Sequence, residues 1–147
     1  MRINIASAFV GLTTALLAFT STATGAAKCY PAAGRFAVNA ELVSDAMTGL
    51  VWHQAIAPQA MTFAGAQAYC KSLGSRVPSM TELYSLVDYA KPSMIDGTFF
   101  PNSPPDKFWT SSEFRMNAAL LYYYLIFKDG TNQATDSNQT FQVRCVR

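Results

Sequence analysis

The sequence predicts one α+β domain, with two helices packed on antiparallel sheet and a disulfide as staple. Three observations carry this expectation. Extended patterns stand at both ends of the mature chain, and two helical patterns lie between them. The length of 147 residues suits a single domain, and a chain half apolar and 13% aromatic can fill a core. Three cysteines follow a segment that reads as an export leader, where thiols oxidise.

The leader comes first in the chain. Arg2 supplies a positive start, Ile5 to Phe19 is largely apolar and uncharged, and small residues run from Ser21 to Ala27. Gly25 and Ala27 suit the −3 and −1 positions of signal peptidase. The expected organisation is therefore a signal peptide over 1–27 and one domain over 28–147. Lys28 stands before Cys29, where a lipoprotein signal needs a small residue. Cleavage leaves ten basic and nine acidic residues, a net charge of +1. So small a charge argues against nucleic-acid binding. No later stretch is long and apolar enough to span a bilayer after cleavage. The expected location is the periplasm, the medium or the cell surface.

Short extended pieces are expected at Arg35–Asn39 and Glu41–Asp45, with Val38, Leu42 and Val43 inward. A turn at Ala46–Gly49 and a returning strand at Leu50–His53 follow. Thr62 caps a helix from Phe63 to Leu73, whose face is Phe63, Ala66, Cys70 and Leu73. Ser79 and Glu82 form a capping box for a second helix. Its face is Met80, Leu83, Val87 and Ala90, and Pro92 stops it. Residues 91–107 hold four prolines and form an irregular connection tethered by Phe99 and Phe100.

The last third is β. One strand is expected in Lys107–Phe114 and another in Ala118–Lys128. The apolar run Ala119 to Phe127 lacks two-fold alternation, so burial on both faces is expected. Asp129-Gly130 is a hairpin turn. Residues 131–138 are polar. Phe141–Arg147 closes the chain as a strand, with Phe141, Val143 and Cys145 on one face and Gln142, Arg144 and Val146 on the other. Cys29 sits where chains fray, so Cys70 is paired with Cys145.

Thr48-Gly49-Leu50-Val51-Trp52, Ala68-Tyr69-Cys70, Arg76-Val77-Pro78-Ser79 with Glu82-Leu83, and Val143-Arg144-Cys145-Val146-Arg147 occur in order. Phe108-Trp109-Thr110-Ser111-Ser112 and Phe127-Lys128-Asp129-Gly130 join them. This set resembles the C-terminal domain family of bacterial collagen-like adhesins. The resemblance spans about residues 35–147. It implies a C-type-lectin-like fold, distantly similar to the formylglycine-generating sulfatase-modifying enzymes. It also supports the Cys70–Cys145 pairing. Where the family carries Trp before the Arg of its Arg-Leu-Pro-Thr segment, this chain has Ser75.

The function expected is a non-enzymatic binding or adhesion module for a glycan or a surface protein. His53 is the only histidine, and no Gly-x-Ser-x-Gly elbow surrounds a serine. Cys70 and Cys145 stand at structural motif positions, and Glu82 has a capping role. No cofactor or metal is expected: the sugar-reading strings of calcium lectins are missing, and Asp96, Asn102 and Asp106 are read as turn-forming. Candidate ligand contacts are the aromatic residues Trp109, Tyr122 and Tyr124. The basic residues Lys107, Lys128, Arg144 and Arg147 form a candidate patch for acidic glycans. The alternative is an assembly subunit of an envelope complex, joined through Cys29 or an exposed edge strand.

Overall fold

The computed structural model of the protein describes residues 34–147. The expected leader and Cys29 lie outside them. The fold is mixed α/β, with two three-stranded antiparallel sheets, two helices and a disulfide. The first sheet holds β1 (Phe36–Asn39), β2 (Leu42–Asp45) and β3 (Val51–His53), in that order. Then come α1 (Phe63–Ser72) and α2 (Met80–Tyr84). The second sheet holds β4 (Lys107–Met116), β5 (Ala119–Ile126) and β6 (Thr131–Thr135), also in order.

The turn into β3 is built around Asp45. Its carboxylate accepts from Met47 N, from Thr48 Oγ1 and from both Nε and Nη2 of Arg35. Burial alone would raise the Asp45 carboxyl, but these donors outweigh it and hold the pKa below the usual value. Gly49 has φ +75°, a conformation that explains glycine after Thr48.

Both helix starts follow the expected capping chemistry. Thr62 Oγ1 accepts from Gly65 N. Ser79 Oγ accepts from Glu82 N, while Glu82 Oε2 accepts from Ser79 N at 2.8 Å. The second helix is shorter than expected. Leu86 N and Val87 N donate to carbonyls three residues back, which tightens the chain out of the helix. Leu86 thereby becomes the buried residue, and Ala90 is exposed. Leu73 caps α1 and is exposed rather than inward, as is Val38.

The second sheet separates two apolar clusters. Strand alternation sends Phe108 and Leu125 to one, with Val43, Trp52, Leu83 and Phe100. It sends Trp109 and Tyr124 to the other, with Phe63, Cys70 and Val143. Burial on both faces of β5 therefore holds at Tyr124 and Leu125. It fails at the other end, where Ala119 is exposed and Leu120 to Tyr123 are half-buried. There β5 outruns both layers of packing. The polar stretch after Gly130 is not all loop, since Thr131–Thr135 pairs with β5 as an edge strand. Phe99 and Phe100 anchor the Pro-rich connection, and Phe100 is fully buried.

Residues 141–147 do not form a regular strand. They run extended and reach several segments in turn. Phe141 exchanges hydrogen bonds with Met61, Gln142 lies between Lys107 and Trp109, and Val146 pairs with Arg76. Arg147 exchanges both backbone bonds with Val51. The expected alternation survives: Val143 and Cys145 enter one cluster, Val146 the other. Cys70 and Cys145 are bonded, with Cα atoms 5.4 Å apart, which ties α1 to this segment.

Candidate functional site

The motif at the start of β4 is consumed by structure. Trp109 Nε1 donates to Met61 O, and Thr110 Oγ1 donates to Tyr123 O. Ser111 N donates to Pro78 O, and Ser112 Oγ accepts from Met80 N. A bulge between Trp109 and Glu113 makes room for these bonds. The β4 strand is thereby docked on the start of α2. Arg76 completes the corner with two bonds to Glu82, of 2.6 and 2.7 Å.

Several residues expected to contact a ligand lie inside. Trp109 is fully buried, edge-on to Phe63. Tyr124 is buried against Phe141, and its hydroxyl donates to Gln133 Oε1. Tyr122 is half-buried and stacked on Phe63, with ring centroids 3.7 Å apart. Arg144 is wholly buried: Nη1 donates to the carbonyls of His53 and Gln54, and Nη2 to Ser103 Oγ. Its guanidinium lies over the Phe100 ring. Arg144 thus cannot join a basic surface patch. Alternation explains the set, since each of these positions faces packed chain rather than solvent. Lys107 is half-buried with Nζ over the rings of Tyr124 and Phe141. Lys128 and Arg147 are exposed, the first in the turn before β6 and the second beside β3.

Among the described residues, the exposed aromatic side chains are Tyr84, Tyr89 and Phe114, and the half-buried Tyr123 lies near them. Tyr123 lies on the Leu125 face of β5, the face on which α2 packs. Its ring meets Phe114, with centroids 5.8 Å apart. On the same side of the sheet, the hydroxyls of Tyr84 and Tyr89 are 2.7 Å apart. Gly130, with φ +71°, lies so close under Tyr89 that a Cβ would stand 2.9 Å from its hydroxyl. Phe114 and Tyr84 are 39% and 38% exposed, and Tyr89 is 63% exposed. Tyr122 and Tyr123 lie on opposite faces of β5 and are both half-buried, while Tyr124 is buried. Phe63 and Phe141 pack on the face that Tyr122 and Tyr124 share.

A second surface feature lies at the Pro-rich connection. An open cleft of about 450 Å³ is lined there by Gln54, Ile56, Pro58, Pro101, Asn102 and Gln142. Three side-chain amides and two prolines thus share one concavity.

His53 Nε2 lies 2.8 Å from Ser75 Oγ, so the serine in the family's Trp position has a partner. Burial and then the charge of Arg147 lower the His53 pKa, against the opposing effect of Glu41. The N–H groups of Ser75 and Arg76 already donate to Cys70 O and Val146 O. Asp96 binds Thr98 N and Lys91, and Asp106 accepts from Lys107 N. Among the described residues, no three His, Cys, Asp or Glu side chains gather at one point.

These features define a disulfide-stapled α/β domain whose motif residues build its corners and whose exposed aromatic rings, among the described residues, are Tyr84, Tyr89 and Phe114. The chain belongs to the Lcl C-terminal domain family, whose model matches residues 41–147. No curated protein matches the chain.

Proposed function

We propose that the protein is a non-enzymatic binding or adhesion module, C-type-lectin-like in fold, that acts outside the cytosol on a glycan or a surface protein. The observation that carries this reading is the exposed set Tyr84, Tyr89 and Phe114, with the half-buried Tyr123 beside them, on the α2 side of the second sheet. Aromatic faces pack on the C–H faces of sugars and anchor protein interfaces. The amide-lined cleft beside Pro101 adds donors and acceptors suited to hydroxyl groups. The His53–Ser75 pair favours no reaction, because the adjacent backbone donors are already used. Disulfide stapling suits an oxidising compartment.

Titration against immobilised neutral and sulfated glycans, at two salt concentrations and with or without EDTA, tests the proposal. Binding without turnover is expected, and Tyr89→Ala should weaken it about 10-fold. Strong salt dependence would assign the contacts to Lys128, Lys107 and Arg147. Loss with EDTA would overturn the metal-free reading. Failure to bind any glycan or cell surface would overturn the module and favour an assembly subunit.

A further inference from the structure

The far end of the second sheet is a two-stranded ribbon. Glu113 to Met116 pairs with Ala119 to Tyr122 across a turn in which Asn117 has φ +56°. The β6 ladder stops at Tyr122, and the last outside bond to the β4 backbone is Ser111 N to Pro78 O. Among the described residues, nothing else pairs with the outer edge of Glu113–Met116. This edge is also apolar, with Phe114 39% and Met116 54% exposed. An unpaired edge of this kind is a template for another strand.

We propose that this edge pairs with the same edge of a second copy, antiparallel and centred on Phe114. The charge pattern selects that partner and that register. A two-fold axis through Phe114 sets Glu113 opposite the partner's Arg115, and Arg115 opposite the partner's Glu113. The two ion pairs form on the face opposite the aromatic rings. Phe114 meets its own copy on the other face, and Met116 lies across from Ser112. Such an isologous contact needs one strand to be its own complement, which this segment is. Within one chain, Arg115 and Glu113 are only loosely paired, at 3.9 Å with side chains 71% and 49% exposed. Both are therefore free to change partners. The β5 edge, Ala119 to Leu121, carries no charge and offers no such register.

Pairing would join two three-stranded sheets into one of six strands. The aromatic sides of both copies would then face the same way, so a multivalent surface would be held at two points. The pairing stands whatever ligand that side takes.

Sedimentation of the chain in a Cys29→Ser background tests this, since no disulfide can then mimic the dimer. A reversible monomer–dimer equilibrium is expected. Glu113→Lys and Arg115→Glu should each weaken it at least ~10-fold, because like charges then face each other twice. An equimolar mixture of the two variants should recover the dimer, as every pair across that interface is again opposite in sign. Circular dichroism of both variants checks that they remain folded. A chain that stays monomeric at ~1 mM overturns the proposal. So does a dimer indifferent to both substitutions, or a mixture that stays monomeric.

Discussion

Arg144 carries its charge into the interior with no carboxylate in salt-bridge range among the described residues. Burial pushes its pKa down to about 9, which still leaves the guanidinium protonated at neutral pH. What holds it there is geometry. One planar fork reaches two successive carbonyls at the end of β3 and a serine of the Pro-rich connection, with an aromatic ring beneath. Arg144→Ala would leave those carbonyls without a donor and open a cavity. A loss of about 3 kcal/mol is expected, read as a shift in the urea midpoint at unchanged slope. Arg144→Lys should fall short of rescue, since an ammonium cannot span the same acceptors. Nothing local in the sequence announced this role. The partners lie 90 and 41 positions away, and an arginine between Val143 and Cys145 reads equally well as surface charge.

At the scale of an element, α2 and its approach form one electrostatic unit. The two hydrogen bonds from Arg76 are the main reason that the Glu82 carboxyl is lowered from 4.5 to about 2. Burial opposes them, and the Ser79 bonds assist. A carboxyl depressed in the folded state stabilises above its unfolded pKa, and that stability is lost as pH falls towards the folded value. Stability should therefore decline from about pH 4.5 down to about 2. Glu82→Gln should flatten that decline by ~1–2 kcal/mol, a figure reduced because Arg76 is half exposed. Urea titrations at several acid pH values give the comparison. The start of α2 was legible because a capping box spans only four residues. Its end was not. Ser85 Oγ donates to Glu82 O, and Arg35 Nη2 takes the Ser85 carbonyl, so a residue 50 positions away ends the helix.

Over the whole molecule, the Cys70–Cys145 bond closes a loop of 75 residues between α1 and the final segment. The double variant Cys70→Ala, Cys145→Ala should lose about 4.5 kcal/mol in the chain-entropy account, seen as a large drop in Tm without reductant present. The pairing was legible because only two cysteines sat in core patterns. The division into two sheets was not, since an apolar run does not say which strands share a ladder. The alternation of the segment 141–147 is that of a strand, so the sequence alone points to one. Its hydrogen bonds are instead distributed among β3, residues 57–61, Arg76 and β4. That distribution fixes an order of events. Every segment that residues 141–147 join precedes them in the chain, and neither apolar cluster is complete until they dock. Closure of the fold then waits on residues 141–147 rather than on the speed of any helix or hairpin.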